Sequence, residues 1–304
     1  MKRIIKGPKV TWVDIKDPSE EDIEYLRQKF HIHPLVLGEL IPPGHRPKVE
    51  QHNDYLFMII YYPIYSKEKR ETKSRELDII ATKDTIITSH YSAIFPLKTL
   101  FNACYASQNS RKRYMSEGSG QLLFYILSNF WKACLVKMEQ IDKRIDEVEK
   151  NMFSGKEKEM VLEISFVKTD IINFWRIVEP QKEILESLAK EGVIFFGRTL
   201  NPYFADILGT YGKALNSLKT FKETVLAMED TNQSLLSTKT NETIRILTVF
   251  SVIMLPLTLL ASIWGMNLPN LPLAESPVAF WLLISLMIGL MGFLIFYFRK
   301  KEWL

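Results

Sequence analysis

Two uncharged apolar blocks near the C-terminus constrain this chain more than any other feature. Residues 246–264 (ILTVFSVIMLPLTLLASIW) form a block of nineteen, and residues 278–298 (VAFWLLISLMIGLMGFLIFYF) form a block of twenty-one. As a helix, nineteen residues span about 29 Å, the thickness of the hydrocarbon core of a bilayer. Neither block has a polar face for water, so buried helices of a soluble core explain them poorly. Two membrane helices are expected.

The flanks orient them. Lys239 and Arg245 precede the first block, Arg299, Lys300 and Lys301 follow the second, and the connecting segment 265–277 has no Lys or Arg and a single acid, Glu275. Because basic residues stay on the cytoplasmic side, both termini are expected inside and 265–277 outside a cell (inner or plasma) membrane. With 24% of the 304 residues charged, the part ahead of the blocks reads as water-soluble. The start, MKRIIKGPKV, lacks an apolar stretch of signal-peptide length. A net charge of +4 is too small to argue for nucleic acid, and no nucleic-acid-binding motif is present. Cys104 and Cys134 have neither zinc-site nor redox-pair spacing.

Residues 1–118 are expected to form a cytoplasmic mixed α/β domain. VTWVDI, DYLFMIIYYPIY, ELDIIAT and DTIITSHY read as strands, being rich in β-branched and aromatic residues. Between them Asp17-Pro18-Ser19-Glu20 predicts a helix start, with Asp17 as cap and Pro18 at the first helical position. Residues 119–196 are expected to be an antiparallel pair of long helices. One apolar stripe runs from Leu127 to Met152 in steps of four and three, Ser154-Gly155 breaks it, and a second runs from Met160 through Gln181 to Leu188, with Gly192 as its stop. Asn201-Pro202 opens a third helix, and residues 199–264 are expected to continue from it into the first membrane span, over more than about 90 Å. So long a helix needs neighbours, and copies of itself are the obvious ones.

One face of that helix is polar or small where it enters the membrane: Asp230, Ser234, Ser237, Asn241, Ile244, Thr248, Ser251, Leu255, Thr258 and Ser262. Two readings stay open. Small polar residues permit close helix packing, or symmetry-related copies line a water-filled pore in which Ile244, Leu247 and Leu255 form apolar constrictions. Pro256 frees the carbonyl of Val252, which is compatible with either.

The first block ends in Ile-Trp-Gly-Met-Asn-Leu-Pro (263–269). Gly265-Met266-Asn267 between two spans, together with HRPKVE (45–50), KTNETIRILT (239–248) and MLPLTLLASIWGMN (254–267), resembles the CorA family of magnesium and cobalt channels. The resemblance implies a funnel-shaped homopentamer of the α+β class. Its parts would be an α/β/α cytoplasmic domain, long coiled helices, two C-terminal transmembrane helices (the second at 278–298) and a basic cytoplasmic tail at 299–304. It implies a selectivity filter of Gly265, Met266 and Asn267 in the extracellular loop 265–277. Asp230, Asn241, Ile244, Leu247, Leu255 and Thr258 would line the pore. Glu39 and Asp206 would hold a regulatory Mg²⁺, although Gly38 stands where many relatives carry an acid. Asp206 also suits the positive end of its helix. Trp264 replaces the family's usual Tyr, and the loop lacks the acid that many relatives place near the mouth.

The expected function is potential-driven uptake of hydrated Mg²⁺, and of Co²⁺ or Ni²⁺, gated by cytoplasmic Mg²⁺. Divalent cations, the bilayer and further copies of the chain are the expected partners, with no organic cofactor. A zinc or proton-coupled transporter on the same scaffold is one alternative, and a membrane-anchored coiled-coil scaffold without ion flux is another. An enzyme is not expected. His31 and His33 lie near Glu39 without a further ligand set, and no P-loop is present.

Overall fold

The computed structural model describes residues 1–304 except 42, 43, 45, 67, 69, 267–276 and 304. Two units make up the chain, Met1–Glu229 and Asp230–Leu304.

In the first unit a six-stranded sheet has the order β1-β2-β6-β5-β4-β3. The strands are β1 (Lys2–Lys6), β2 (Thr11–Lys16), β3 (Lys48–Gln51), β4 (Leu56–Ser66), β5 (Glu71–Ala81) and β6 (Thr85–His90). All neighbours are antiparallel except β2 and β6. Successive residues Leu56 to Ile60 of β4 are all buried, because alternate side chains meet apolar layers on both faces. On one face Phe57, Ile59 and Ile80 pack with Leu26, Val36, Leu37 and Leu40 from α1 (Glu20–Phe30) and α2 (Pro34–Glu39). On the other, Trp12 meets Phe101 of α3 (Phe95–Ala106) edge-on, and Tyr62 meets Phe130 of α5 (Ser119–Met152). The short α4 (Gln108–Met115) links α3 to α5.

Several local expectations are corrected. Ser19, not Asp17, caps α1: its hydroxyl accepts from the Asp22 backbone N–H while Asp22 bonds back to the Ser19 N–H. This reciprocal box satisfies two donors, which a lone cap does not. The second apolar stripe is split between α6 (Glu157–Val178) and α7 (Gln181–Phe196), since Pro180 lacks the N–H that would continue α6. Gly192 lies inside α7 rather than after it, and a Cβ there would come 2.8 Å from the Phe204 ring. The helix ends instead at Gly197, whose φ of 112° suits glycine.

Gln181, counted in the apolar stripe, is fully buried and polar for a reason. Strand β3 covers β4 only from Leu56 to Ile59. Beyond it, the Gln181 amide accepts from the Tyr61 N–H at 3.3 Å and donates to the Tyr61 carbonyl at 2.8 Å. One side chain thus continues the ladder past the end of a strand, where unpaired backbone groups would be costly.

Two buried aspartates contrast. Asp14 accepts from Arg3 at 2.6 Å and from Thr88 at 2.8 Å, with His90 at 3.4 Å. Burial raises its pKa, but the bonds from His90 and Arg3 outweigh that and hold it below the usual carboxylate value. Asp78, 1% exposed, lies between Ile59 and Ser89 on the neighbouring strands, and neither of its oxygens has a hydrogen-bond partner among the described residues. Burial, reinforced by Glu76 and Glu39, raises its pKa well above the ordinary value.

In the second unit, α8 (Asn201–Trp264), which begins in the first, ends at the outer block, and α9 (Pro277–Lys300) follows. Only 6% and 11% of their most apolar windows are buried within the chain. Soluble core helices would be covered by protein, so these surfaces call for lipid or further subunits.

Asp78→Asn is expected to gain stability relative to the native protein as pH rises from acid to neutral, because the amide cannot ionise. The sign follows from linkage. Below the ordinary carboxylate pKa, Asp78 is neutral folded and unfolded, so it carries no penalty. As pH rises, the unfolded chain releases this proton while the folded chain retains it, and stability falls until the raised pKa is passed. Melting of the purified protein at several pH values should therefore show the gain growing from acid to neutral; a gain that shrinks toward neutrality contradicts it.

Candidate functional site

The polar face of α8 is built by helical spacing alone. Asp230, Asn241, Ile244, Leu247, Leu255 and Thr258 are all exposed in the single chain. The three apolar members are unusually open, Ile244 at 55%, Leu247 at 64% and Leu255 at 68%. Between them the hydroxyls follow one pattern. Ser234 donates to the Asp230 carbonyl at 3.0 Å, Thr248 to Ile244 at 2.7 Å, Ser251 to Leu247 at 2.8 Å and Thr258 to Met254 at 2.8 Å. In these four the hydroxyl proton is used inside the helix. What remains for a visitor is oxygen lone pairs.

That polarity has a chemical consequence. A hydrated divalent cation presents only water hydrogens to its surroundings, and its shell is kept where neutral acceptors bond to it without replacing it. Hydroxyl oxygens whose protons already point into the helix are such acceptors, whereas an anion's shell would need donors. Pro256 lies inside α8, so the carbonyl of Val252 is left without its usual helical donor and adds another acceptor.

At the outer end, α8 stops at Trp264. Gly265 N–H bonds to the Ala261 carbonyl at 2.9 Å and Met266 N–H to Ile263 at 3.3 Å, so a last tightened turn carries the motif. A Cβ at Gly265 would meet the Ala261 carbonyl oxygen at 3.2 Å, a close approach that favours glycine. Met266 is 53% exposed. Asn267 and the rest of the loop through 276 lie outside the described residues.

The two carboxylates of the expected regulatory site are not joined within one chain. Glu39, at the end of α2, takes an ion pair from Lys48 of β3 at 2.8 Å, and Lys48 also holds Glu50 at 2.8 Å. Burial lowers the Lys48 pKa, but bonds from Glu39 and Glu50 outweigh this and raise it. Asp206 is exposed, and its backbone carbonyl accepts from Thr210 at 3.0 Å. It lies beyond the first turn of α8, which contains no acid, so the helix dipole gives it little. Among the described residues no group of three or more His, Cys, Asp or Glu could hold a metal. A metal at Glu39 would have to displace Lys48 or gain ligands from another subunit.

The nearby histidines act as caps. His33 accepts the Leu35 N–H on Nδ1 at 3.3 Å at the start of α2, and His31 ends α1 with φ of 51°. Cys104 and Cys134 are both buried, and burial pushes the Cys104 thiol up to about 11, far from a reactive thiolate.

The model of the CorA-like Mg²⁺ transporter protein family matches residues 8–300. The chain belongs to this family. The cobalt/magnesium transport protein CorA of Thermotoga maritima is 27% identical over 300 residues, covering 97% of this chain and 83% of that protein. The solved structure of the CorA magnesium transporter from Methanocaldococcus jannaschii superposes with a TM-score of 0.84 at 23% identity, covering 97% of this chain and 92% of the other. The zinc transport protein ZntB of Yersinia pseudotuberculosis is 17% identical over 293 residues, covering 96% of this chain and 88% of that one. The family carries divalent cations across membranes and does not consist of enzymes.

Proposed function

We propose that the chain forms a homopentameric channel for hydrated Mg²⁺, driven inward by the membrane potential. The observation that carries this reading is the face of α8 on which Ser234, Thr248, Ser251 and Thr258 spend their hydroxyl protons on the helix and leave oxygen lone pairs outward. The cobalt/magnesium relative at 27% identity supports the choice of ion. Five copies of one such face would surround an aqueous path, with Ile244, Leu247 and Leu255 as dewetting constrictions and Asp230, Asn241 and Thr258 as polar contacts. Gly265, Met266 and Asn267 form the outer filter, where an amide oxygen meets the ion's water without trapping the charge. Moving two charges through 100 mV yields about 4.6 kcal/mol, so no nucleotide engine is required. Glu39 of one subunit and Asp206 of another bind cytoplasmic Mg²⁺ and hold the pore closed, in competition with Lys48. The N- and C-termini face the cytoplasm.

A zinc transporter is the second reading, because ZntB aligns along nearly the whole chain. Purified protein in liposomes loaded with a fluorescent Mg²⁺ indicator separates the two. Under an inside-negative potential, Mg²⁺ entry blocked by hexaamminecobalt is expected; entry of Zn²⁺ alone, dependent on a proton gradient, would overturn the magnesium reading.

Asn267→Ala is expected to lower Mg²⁺ flux at least about tenfold while the oligomer survives gel filtration, the loss of roughly 1.4 kcal/mol at the filter. Asp206→Ala is expected to leave flux unchanged at low internal Mg²⁺ and to keep it high when internal Mg²⁺ is raised. A variant that still shuts at high internal Mg²⁺ removes Asp206 from the regulatory site.

A further inference from the structure

The cytoplasmic unit contains a second place built for a charged ligand, at the start of α5. Helix α5 runs for 34 residues, and Gly118 at its N-cap has φ of 134° and provides no side-chain cap. The first helical bond is from Leu122 N–H to the Gly118 carbonyl. The N–H groups of Ser119, Gly120 and Gln121 precede it and have no partner among the described residues, although all three residues are buried. Buried orphan donors are rare, because each costs free energy comparable to a lost hydrogen bond.

These donors border a cavity of about 310 Å³, whose walls include Lys83, Gln121, Phe196, Thr199 and Tyr203. Gln121 is an independent observation. It is only 5% exposed and lines the cavity, and its amide has no hydrogen-bond partner among the described residues. The helix start is also held firmly. The Ser119 hydroxyl donates to the carbonyls of Thr82 and Lys83 at 2.5 and 2.8 Å, and a Cβ at Gly120 would lie 2.2 Å from Leu200. The donors therefore cannot turn away to find water elsewhere.

Charge decides the ligand class. Three N–H groups at the positive end of a long helix favour an oxyanion. Lys83 stands at the wall, its ammonium bonded to the Phe195 carbonyl. Glu117 lines the cavity too but is exposed, so water screens its charge while the helix-end donors act in a drier place. The volume exceeds that of a lone phosphate, and the rings of Phe196 and Tyr203 offer flat apolar walls beside it.

We infer that this cavity binds a phosphate-bearing small molecule, its phosphate on the N–H groups of residues 119–121 and the Gln121 amide. The site is independent of the ion pathway, so binding is read without any flux. Isothermal titration of the full-length protein in detergent would use inorganic phosphate, AMP and adenosine. Saturable binding of AMP or phosphate with none of adenosine is expected. Gln121→Glu should weaken binding at least about tenfold. Thr199→Glu, at an exposed wall position, should do the same and decides the matter if Gln121→Glu does not fold. Binding of phosphate and AMP together assigns a monoester, and of phosphate with AMP excluded assigns the free ion. Adenosine binding as well as AMP, no binding of either phosphate compound at millimolar concentration, or full affinity in Thr199→Glu overturns the site.

Discussion

Hydrocarbon neither donates nor accepts hydrogen bonds, and every polar group in the apolar stretches of α8 and α9 that faces it has to be satisfied under that condition. The backbone meets it by helix formation. Hydroxyls meet it by donating back to carbonyls one turn earlier, as Thr248 does to Ile244 and Ser251 to Leu247. The same bonds that make serine and threonine tolerable in lipid orient their oxygens as acceptors. Solubility in the membrane and suitability for a hydrated cation therefore come from a single local device. A carboxylate in the same positions would solve neither problem, because its charge is expensive in the span and would hold the ion too firmly.

The first unit, Met1–Glu229, faces the opposite difficulty, since water is available at its surface but excluded from a two-faced sheet. Polar groups caught inside are handled in unequal ways. Asp14 is held by Arg3, Thr88 and His90, and Gln181 extends the ladder of β4. Among the described residues Asp78 has no such partner, and its burial raises its pKa instead. A buried acid can lose either its charge or its isolation, and the two aspartates take one route each. Glu39 belongs to the same electrostatic neighbourhood, because it adds to the field at Asp78 and is itself balanced by Lys48.

Much of this was legible from residue order. The apolar blocks, the basic flanks and the step of three and four along α8 each depend on the local chain, and they marked the two apolar helices and the polar stripe without any tertiary information. Strands such as LFMII were readable because burial on both faces leaves an uninterrupted apolar run. β1 and β3 were not, for they are the two edges of the sheet and carry Lys, Arg and Glu against unwanted pairing. KRIIK and KVEQ look like surface loops until a partner strand is known. The start of α5 was equally silent, since Gly-Ser-Gly is too short a pattern to separate a ligand cradle from a turn.

The sequence by itself determined the two long apolar helices and the polar stripe along α8, because each is a property of residues close together on one helix. Tertiary structure alone decided which groups lost their partners. That Glu39 is tied to Lys48, that Asp78 is isolated, and that three N–H groups of α5 open onto a cavity all depend on contacts between segments far apart in the chain. Such contacts leave no periodicity behind, since burial and pairing are settled only when the elements pack.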